Sequence, residues 1–365
     1  MIILNYNSLN KLGKRMLHFI RSIASTNYPN FEMIVVDNAS IDGSDKLIGD
    51  ELGRLGRGRV VKVEKNLGST GGNNLGFELG CRGAKYVAFL NNDIEVEPDW
   101  LNKIIDVLEA DERVAAAQPA ILQLSNRNRV DSLGGMIDRV GWTYDLFSNS
   151  SFPDNFEKPF EVFWAKAAAI VVRSDVFRIV GGFDEDYFIY YDEVDLCWRI
   201  RLLGYKVVTV PTARIYHLGG GTMGGANFRS IYMSRKNHLA MLLKNYSFVN
   251  AIFYSILLVL IYVSAVVKEF FRGRKVVSFA VLAALVWNFR NLRKTLRKRV
   301  YMQSIRKIPD KQIQNFMFRI REYKTRRCVD NIYGKEGSGL QTNVGLYLYH
   351  YNPDTAGKCC GGISG

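Results

Sequence analysis

The residues best suited to do chemistry in this chain lie in two acidic clusters. Asn91-Asn92-Asp93 follows Tyr86-Val87-Ala88-Phe89-Leu90, an apolar and aromatic run that reads as a strand buried on both faces within a parallel sheet. A carboxylate and two amides therefore stand just past the strand's C-terminal end, where open α/β sheets bind ligands. A carboxylate in such a crevice needs a compensating charge, which a divalent cation carrying a diphosphate would supply. The same three residues would also serve as an ordinary strand-end turn. The second cluster, Asp192-Glu193-Val194-Asp195, opens a helix that ends near Leu203 with Gly204 after it. Within it Asp195 is four residues before Arg199 and can pair with it on one face, while Trp198 fits packing better than ligand stacking.

The elements that must position these groups alternate. Ile2–Asn5, Phe31–Val36, Arg59–Val63 and Tyr86–Leu90 read as strands. Between them, Leu12, Met16, Phe19, Ile20 and Ile23 recur at helical spacing, Asp42-Gly43-Ser44 turns into a helix, and Gly71-Gly72-Asn73-Asn74 opens another. Pro98 with Asp99 starts a helix running to about Ala110. This order implies right-handed crossovers and a mostly parallel sheet. Asn5-Tyr6-Asn7, Asp37-Asn38, Asn66 and Asn91-Asn92-Asp93 then emerge at one edge. Together they offer what a nucleotide needs: a ring or apolar floor for the base, an acceptor for its ring N–H, and a seat for the metal of its diphosphate. Gly68-Ser69-Thr70-Gly71-Gly72 is not a dinucleotide loop, for it lacks the G-x-G-x-x-G spacing and follows the third strand. Further on come the apolar run Phe163–Val172, a short helix Ser174–Val180 closed by Gly181-Gly182, strands Tyr205–Val210 and Arg214–His217, and the flexible Gly219-Gly220-Gly221.

The 365 residues, 48% hydrophobic and 23% charged, exclude a disordered chain and leave room for one large domain, or for a catalytic domain with an appendage. The net charge of +14 is concentrated: Lys268–Arg327 holds 18 Lys/Arg against 3 Asp/Glu, so the remainder is near neutral. Those basic residues flank two uncharged stretches, Phe248–Val267 and Val276–Phe289, which fits a lipid surface better than nucleic acid. Phe289, Leu292, Leu296 and Val300 line one face of a further helix, among Arg293, Lys294, Arg297 and Lys298. Cys81, Cys197, Cys328, Cys359 and Cys360 have no metal-ligand spacing, and their odd number speaks for a reducing compartment. No secretory signal is legible at Met1–Asn5. The stretch Gly334–Gly365 is rich in Gly and Tyr and carries no motif.

Taken in order, Ile3-Leu4-Asn5-Tyr6-Asn7, Ile34–Ser40, Asp42-Gly43-Ser44, Asn66-Leu67-Gly68, Gly71–Asn74, Leu90–Asp93 and Tyr190–Arg199 resemble family 2 inverting glycosyltransferases, most closely the rhamnosyltransferase-like branch that builds cell-surface glycans. The resemblance covers about residues 1–240. It implies an α/β GT-A fold, a nucleoside-diphosphate sugar donor, a glycan or lipid-linked acceptor and a divalent metal, Mg2+ or Mn2+. By position Asp37 would bind the base and Asp93 the metal and diphosphate. Asn91 stands where the family often has Asp, and His217 matches a His that ligates metal in some relatives, though a lone histidine also fits a structural place. Glu193 takes the position of the base that deprotonates the acceptor hydroxyl. The Glu–Asp order is swapped here, so Asp192 is its rival. Asn5, Tyr6, Asn7, Asp37, Asn38, Asn66, Gly72, Asn73, Asn91, Asn92, Asp195, Trp198 and Arg199 make up the expected substrate-binding set. A sugar nucleotidyltransferase would share the nucleotide half but usually has a Gly-rich loop where Asn5-Tyr6-Asn7 stands. A non-catalytic sugar-nucleotide-binding scaffold is the other alternative, opposed by intact Asp93 and Glu193. The expected organisation is a GT-A domain over 1–240, a membrane-associated helical region over 241–300 and a basic, then Gly/Tyr-rich tail over 301–365, at the cytoplasmic face of the cell membrane. Relatives carry a few residues before the first strand, so the start is expected to be slightly shortened.

Overall fold

The computed structural model describes residues 1–80, 83–153, 156–219 and 227–318. Gly220, Gly221, the Gly/Tyr-rich end and all the cysteines except Cys197 lie outside the described residues. The first half is β1 (Ile2–Asn5), α1 (Ser8–Leu12), α2 (Arg15–Ala24), β2 (Met33–Asp37), α3 (Ser44–Leu55), β3 (Gly58–Lys62), α4 (Gly68–Gly80) and β4 (Tyr86–Leu90). β4, β1, β2 and β3 lie side by side in that order, all parallel. The unbroken apolar runs of β4, β1 and β2 follow from burial on both faces: Ile2, Ile34, Val36, Val87 and Phe89 enter one core, and Ile3, Met33, Val35, Ala88 and Leu90 the other, while the edge strand β3 is only partly buried. Asn5 pairs in register with Asp37, so the polar ends of these strands are level at the sheet edge.

The second half is β5 (Ile94–Val96), α5 (Trp100–Ala110), β6 (Val114–Gln123), β7 (Asn126–Ser132), β8 (Gly135–Asp138), β9 (Thr143–Asp145), β10 (Phe160–Glu161), β11 (Ala169–Arg173), α6 (Ser174–Ile179), α7 (Asp192–Leu202) and β12 (Lys206–His217). Three expectations change here. The run Phe163–Val172 supplies only the short β11, which enters antiparallel between β4 and β6. The two late strands are one, β12, whose register shifts between Val210 and Arg214 around Pro211, a residue with no N–H to give the ladder. The α5 helix begins at Trp100 rather than Pro98. The sheet that results has ten strands with a parallel centre. Antiparallel β11 matters most for the site, because it delivers the preceding Lys166–Ala168 to the end of β4, where Asn91 N–H donates to Ala168 O at 3.0 Å.

The remaining elements are α8 (Phe228–Asn245), α9 (Phe248–Phe271), α10 (Lys275–Arg290), α11 (Leu292–Ile305), α12 (Asp310–Gln314) and β13 (Met317–Phe318). The α8 helix runs unbroken across residue 240 and packs against α7, α9, α10 and α11. α9 buries one stripe, Ala251, Tyr254, Leu258 and Tyr262, and turns Phe248, Val249, Phe253, Ile256 and Leu260 outward. It is the one described helix long and apolar enough by itself to cross a membrane. On α11 the expected amphipathic face points the opposite way from a packed helix. Leu292, Leu296 and Val300, with Phe289 at the end of α10, are exposed, while Lys298 and the still exposed Lys294 pair with Asp184 and Asp186. Lys294 and Lys298 are therefore not part of a free basic face; Arg293 and Arg297 have no carboxylate within 4.0 Å among the described residues.

Candidate functional site

The N-terminal part of the edge is tied by amides and hydroxyls. Asn5 Nδ2 donates to Asp37 Oδ1 (2.6 Å) and Ser44 Oγ (2.8 Å), and its Oδ1 accepts from Ser8 Oγ (2.5 Å) and Asn92 Nδ2 (3.4 Å). Asp37 Oδ2 accepts from Ser40 N–H at 3.0 Å, so both carboxylate oxygens are used inside and the residue is wholly buried. Asp37 thus holds the turn before α3 against β1, and a direct bond from it to a base would need that turn to open. The groups facing outward are Tyr6, 41% exposed with Lys11 Nζ 5.1 Å from its ring centre, and Ile41, 90% exposed, whose N–H donates to Asn7 Oδ1 at 3.0 Å. Ile41 and Lys11 were not expected, since one apolar residue in a turn and one lysine on a helix give no pattern. Asn38 bridges to the start of α4, donating to Gly68 O (3.1 Å) and accepting from Leu67 N–H (3.4 Å), while Asn66 Oδ1 accepts from Gly68 N–H (2.8 Å). At Gly72 a Cβ would stand 2.7 Å from Leu4 Cδ2 and 3.0 Å from Asn38 Nδ2, so a larger residue there would have to displace these side chains. Asn73, behind it, is buried with its Oδ1 unpartnered.

Asp93 and His217 meet at the end of the central strands. His217 Nδ1 is 2.9 Å from Asp131 Oδ2, and since a carboxylate accepts, that nitrogen carries the proton. Its Nε2 faces Asp93 Oδ1 at 3.3 Å, with Asn91 Nδ2 3.4 Å away. Asp93 Oδ1 is buried without a hydrogen-bond partner. A carboxylate lone pair opposite an imidazole lone pair calls for a cation, either a proton or a metal ion. As the protein stands a proton fits: burial disfavours the His217 cation, but Asp131 and Asp93 outweigh that and raise its pKa to about 9. A carboxylate, an imidazole and a second carboxylate fixing the imidazole's tautomer are also the parts of a metal seat with its outer support. Among the described residues no group of three His, Cys, Asp or Glu that could hold a metal ion converges on one point, so Asp93 and His217 could offer an ion two ligands and no more. Such a seat suits a cation that takes its other ligands from a diphosphate and water. Lys166 Nζ is 3.2 Å from Asp131 Oδ2; burial opposes its charge, but Asp145, Asp131 and Glu193 hold its pKa above the usual range. Asp131, Asp145 and Lys166 escaped the sequence reading, although Lys166 is the lone charge in an apolar run.

The catalytic candidates begin α7 behind a loop of unusual backbone. Phe188, Tyr190 and Tyr191 all have positive φ (65°, 70° and 62°), which costs of order 1–3 kcal/mol each. The loop is held from two sides. Asn237 Nδ2 lies within 3.0 Å of the carbonyls of Tyr187, Ile189 and Tyr190, and Phe188 O accepts from Ser69 N–H at 2.7 Å. Gly68, itself at φ 74°, makes room for it, since a Cβ there would stand 2.4 Å from Phe188 O. Gly68→Ala should therefore cost about 1–3 kcal/mol of stability, seen as a lower thermal midpoint, and weaken donor binding at the same time. An unchanged midpoint would show that loop and helix are not locked together. Glu193 is partly exposed and Asp192 buried. Burial and the neighbouring Asp192 carboxyl raise the Glu193 pKa well above the usual range.

Asp195, Trp198 and Arg199 face away from this edge, which corrects their place in the substrate-binding set. Asp195 is fully buried and takes bonds from Arg199 Nε (2.8 Å), Lys244 Nζ (2.9 Å), Asn245 Nδ2 (3.0 Å) and Tyr187 OH (3.2 Å). Trp198 packs edge-on against Phe163 and Tyr246. Asp195→Ala should cost about 3–5 kcal/mol, because it strands the buried Arg199 and leaves Lys244 with Asp184 alone, and calorimetry would read the drop.

Three comparisons bear on this geometry. Residues 1–168 match the family described as glycosyl transferase family 2. A protein of Sinorhizobium fredii is 27% identical over 55% of this chain and 23% of its own length. The N-acetylglucosaminyl-diphospho-decaprenol L-rhamnosyltransferase of Mycobacterium tuberculosis is 28% identical over 56% of this chain and 72% of its own. Among solved structures, GalNAc-T7 with UDP, GalNAc and Mn2+ superposes with a TM-score of 0.54 at 15% identity, over 67% of this chain and 47% of that one, a likeness of fold.

Proposed function

We propose, for a chain whose residues 1–168 match glycosyl transferase family 2 and whose fold is like that of GT-A glycosyltransferases, that it moves a sugar from a nucleoside diphosphate to a hydroxyl of a lipid-linked glycan, with inversion at the anomeric carbon. The observation that carries the reading is the pair Asp93–His217 at the edge of the parallel strands, with a carboxylate pair at the start of α7 beyond it. The rhamnosyltransferase relative's printed name, with its diphospho-decaprenol, supports the acceptor class.

Asp93 and His217 would hold the divalent ion, which when bound neutralises the departing diphosphate. Asp131 keeps the His217 Nε2 lone pair directed at that place. Tyr6 and Ile41 offer the floor for the base. Glu193, whose proton affinity is raised by burial and by the Asp192 carboxyl, takes the proton from the acceptor hydroxyl as its oxygen bonds to the anomeric carbon and the diphosphate leaves with the electron pair of the broken bond. No covalent intermediate on the protein is needed. Screening purified protein against nucleoside-diphosphate sugars for released diphosphate tests the reading, and release from no donor in the presence of Mg2+ or Mn2+ would refute it.

We place the protein on the cytoplasmic membrane face, with α9, α10 and α11 lying in the interface. Supporting this, α9 and α11 turn apolar stripes outward while their other faces pack on the domain. At about 1.5 Å per residue α9 could cross a bilayer and α10 could not. A single crossing would separate the donor site from the basic flank. Cysteine labelling of intact cells before Phe248 and after Arg290 is expected to mark both positions from the cytoplasmic side. Labelling on opposite sides would establish a span instead.

A further inference from the structure

Between α8, α9 and α10 lies a cavity of about 320 Å³ that the transfer chemistry does not use. Its walls are largely apolar: Trp142, Ile231, Ile261, Val277 and Val281. Three cations, Arg235, Lys268 and Arg274, stand at it against one carboxylate, Glu269. Glu269 is taken by Arg274 at 2.5 Å, which leaves Arg235 and Lys268 without a carboxylate within 4.0 Å among the described residues. Arg235 instead lies over the rings of Trp142 (4.8 Å) and Tyr262 (5.8 Å), so its guanidinium is kept at the cavity by aromatic faces rather than by an acid. An apolar chamber with surplus positive charge fits an amphiphile whose head is a phosphate or diphosphate and whose tail is hydrocarbon.

Two features say where such a molecule would lead. Val263, Val267 and Val276, sequence neighbours of the lining residues, are exposed and continue the apolar surface onto the outer side of α9 and α10. In the other direction the cavity is lined by Tyr190, two residues before Asp192 and three before Glu193. The next residue, Tyr191, stacks on His238 (4.9 Å, 12°), and His238 Nδ1 is bonded to Tyr262 OH at 2.8 Å. The cavity wall and the start of α7 are thus one packed unit.

We propose that this cavity binds the diphosphate and first isoprene units of the acceptor's lipid carrier. The tail would leave along α9 and α10, and the sugar next to the diphosphate would be directed toward Glu193. The assignment rests on the reading of the chain as a transferase for a lipid-linked glycan.

The test uses the full-length protein in detergent with radiolabelled farnesyl diphosphate, measured by equilibrium dialysis, and donor hydrolysis without acceptor measured in parallel. Farnesyl diphosphate should bind at least about tenfold more tightly than farnesol or inorganic diphosphate. Lys268→Glu, on an exposed position, and Ala265→Trp, which fills the chamber, should each weaken it by about tenfold or more and raise KM for the lipid-linked acceptor. Both should leave donor hydrolysis unchanged, which also shows that the variants are folded. Donor hydrolysis together with farnesyl diphosphate bound no better than farnesol would overturn the assignment and leave the transferase reading standing. So would indifference of both variants, or complete displacement by phosphatidylglycerol vesicles, which would make the cavity a seat for bilayer lipid. Absence of any donor hydrolysis in the wild type is failure of the transferase reading, and the acceptor assignment falls with it.

Discussion

Asp93→Asn is expected to abolish metal-dependent donor binding while the fold persists. The substitution is isosteric, and the backbone carbonyl of residue 93, which accepts from Leu218 N–H at 3.0 Å, is untouched. What changes is the charge on a buried oxygen with no hydrogen-bond partner, 3.3 Å from His217 Nε2. An amide there offers a cation no charge, and an ion bound mainly through one carboxylate and the substrate's phosphates loses its principal protein ligand. Titration calorimetry of a nucleoside-diphosphate sugar with Mn2+ should show affinity falling by about 100-fold or more, with circular dichroism unchanged. Asp131→Asn should be milder, about 10–100-fold in metal affinity, because it only frees the imidazole to rotate or change tautomer. Donor binding equal to wild type in Asp93→Asn with metal present would remove Asp93 from the metal seat.

How much of this was legible beforehand depends on how local each feature is. The parallel centre could be read because β1, β2 and β4 are short apolar runs that end in, or run straight into, Asn or Asp, and these ends meet once the strands are parallel. Asn5, Asp37, Asn92 and Asp93 are indeed brought to one edge. Asp131 and Lys166 could not be read, since their place depends on β7 lying beside β6 and on β11 running antiparallel between β4 and β6. No periodicity within either segment encodes that pairing. Asp37 shows the converse limit. Its position at the edge was foreseeable, but its two internal hydrogen bonds depend on Asn5 and on the φ 62° turn at Ala39. For α11 the 3.6-residue pattern gave the apolar stripe correctly but not its direction. Asp184 and Asp186, over a hundred residues earlier, pair with Lys298 and Lys294 and so turn Leu292, Leu296 and Val300 out.

Glu193→Gln should still bind donor but lose transfer by about 10²–10⁴-fold, the range for removing a general base. The structure adds a reason to prefer Glu193 over Asp192. Glu193 is the more exposed of the two, and burial beside the Asp192 carboxyl raises its proton affinity, which strengthens it as a base. The same environment fixes the pH response. A base must be unprotonated to act, so transfer should climb with pH through a limb lying above the ordinary carboxylate range. Asp192→Asn removes the neighbouring negative charge and lowers the Glu193 pKa. The limb should therefore move to lower pH, with a smaller loss of maximal rate than in Glu193→Gln. A purely structural role for Asp192 would lower the rate without moving the limb. Measuring kcat against pH for wild type and both variants, with donor affinity as a control, separates these cases. A dead Asp192→Asn beside an active Glu193→Gln would transfer the base to Asp192, as the swapped order of the two acids allows.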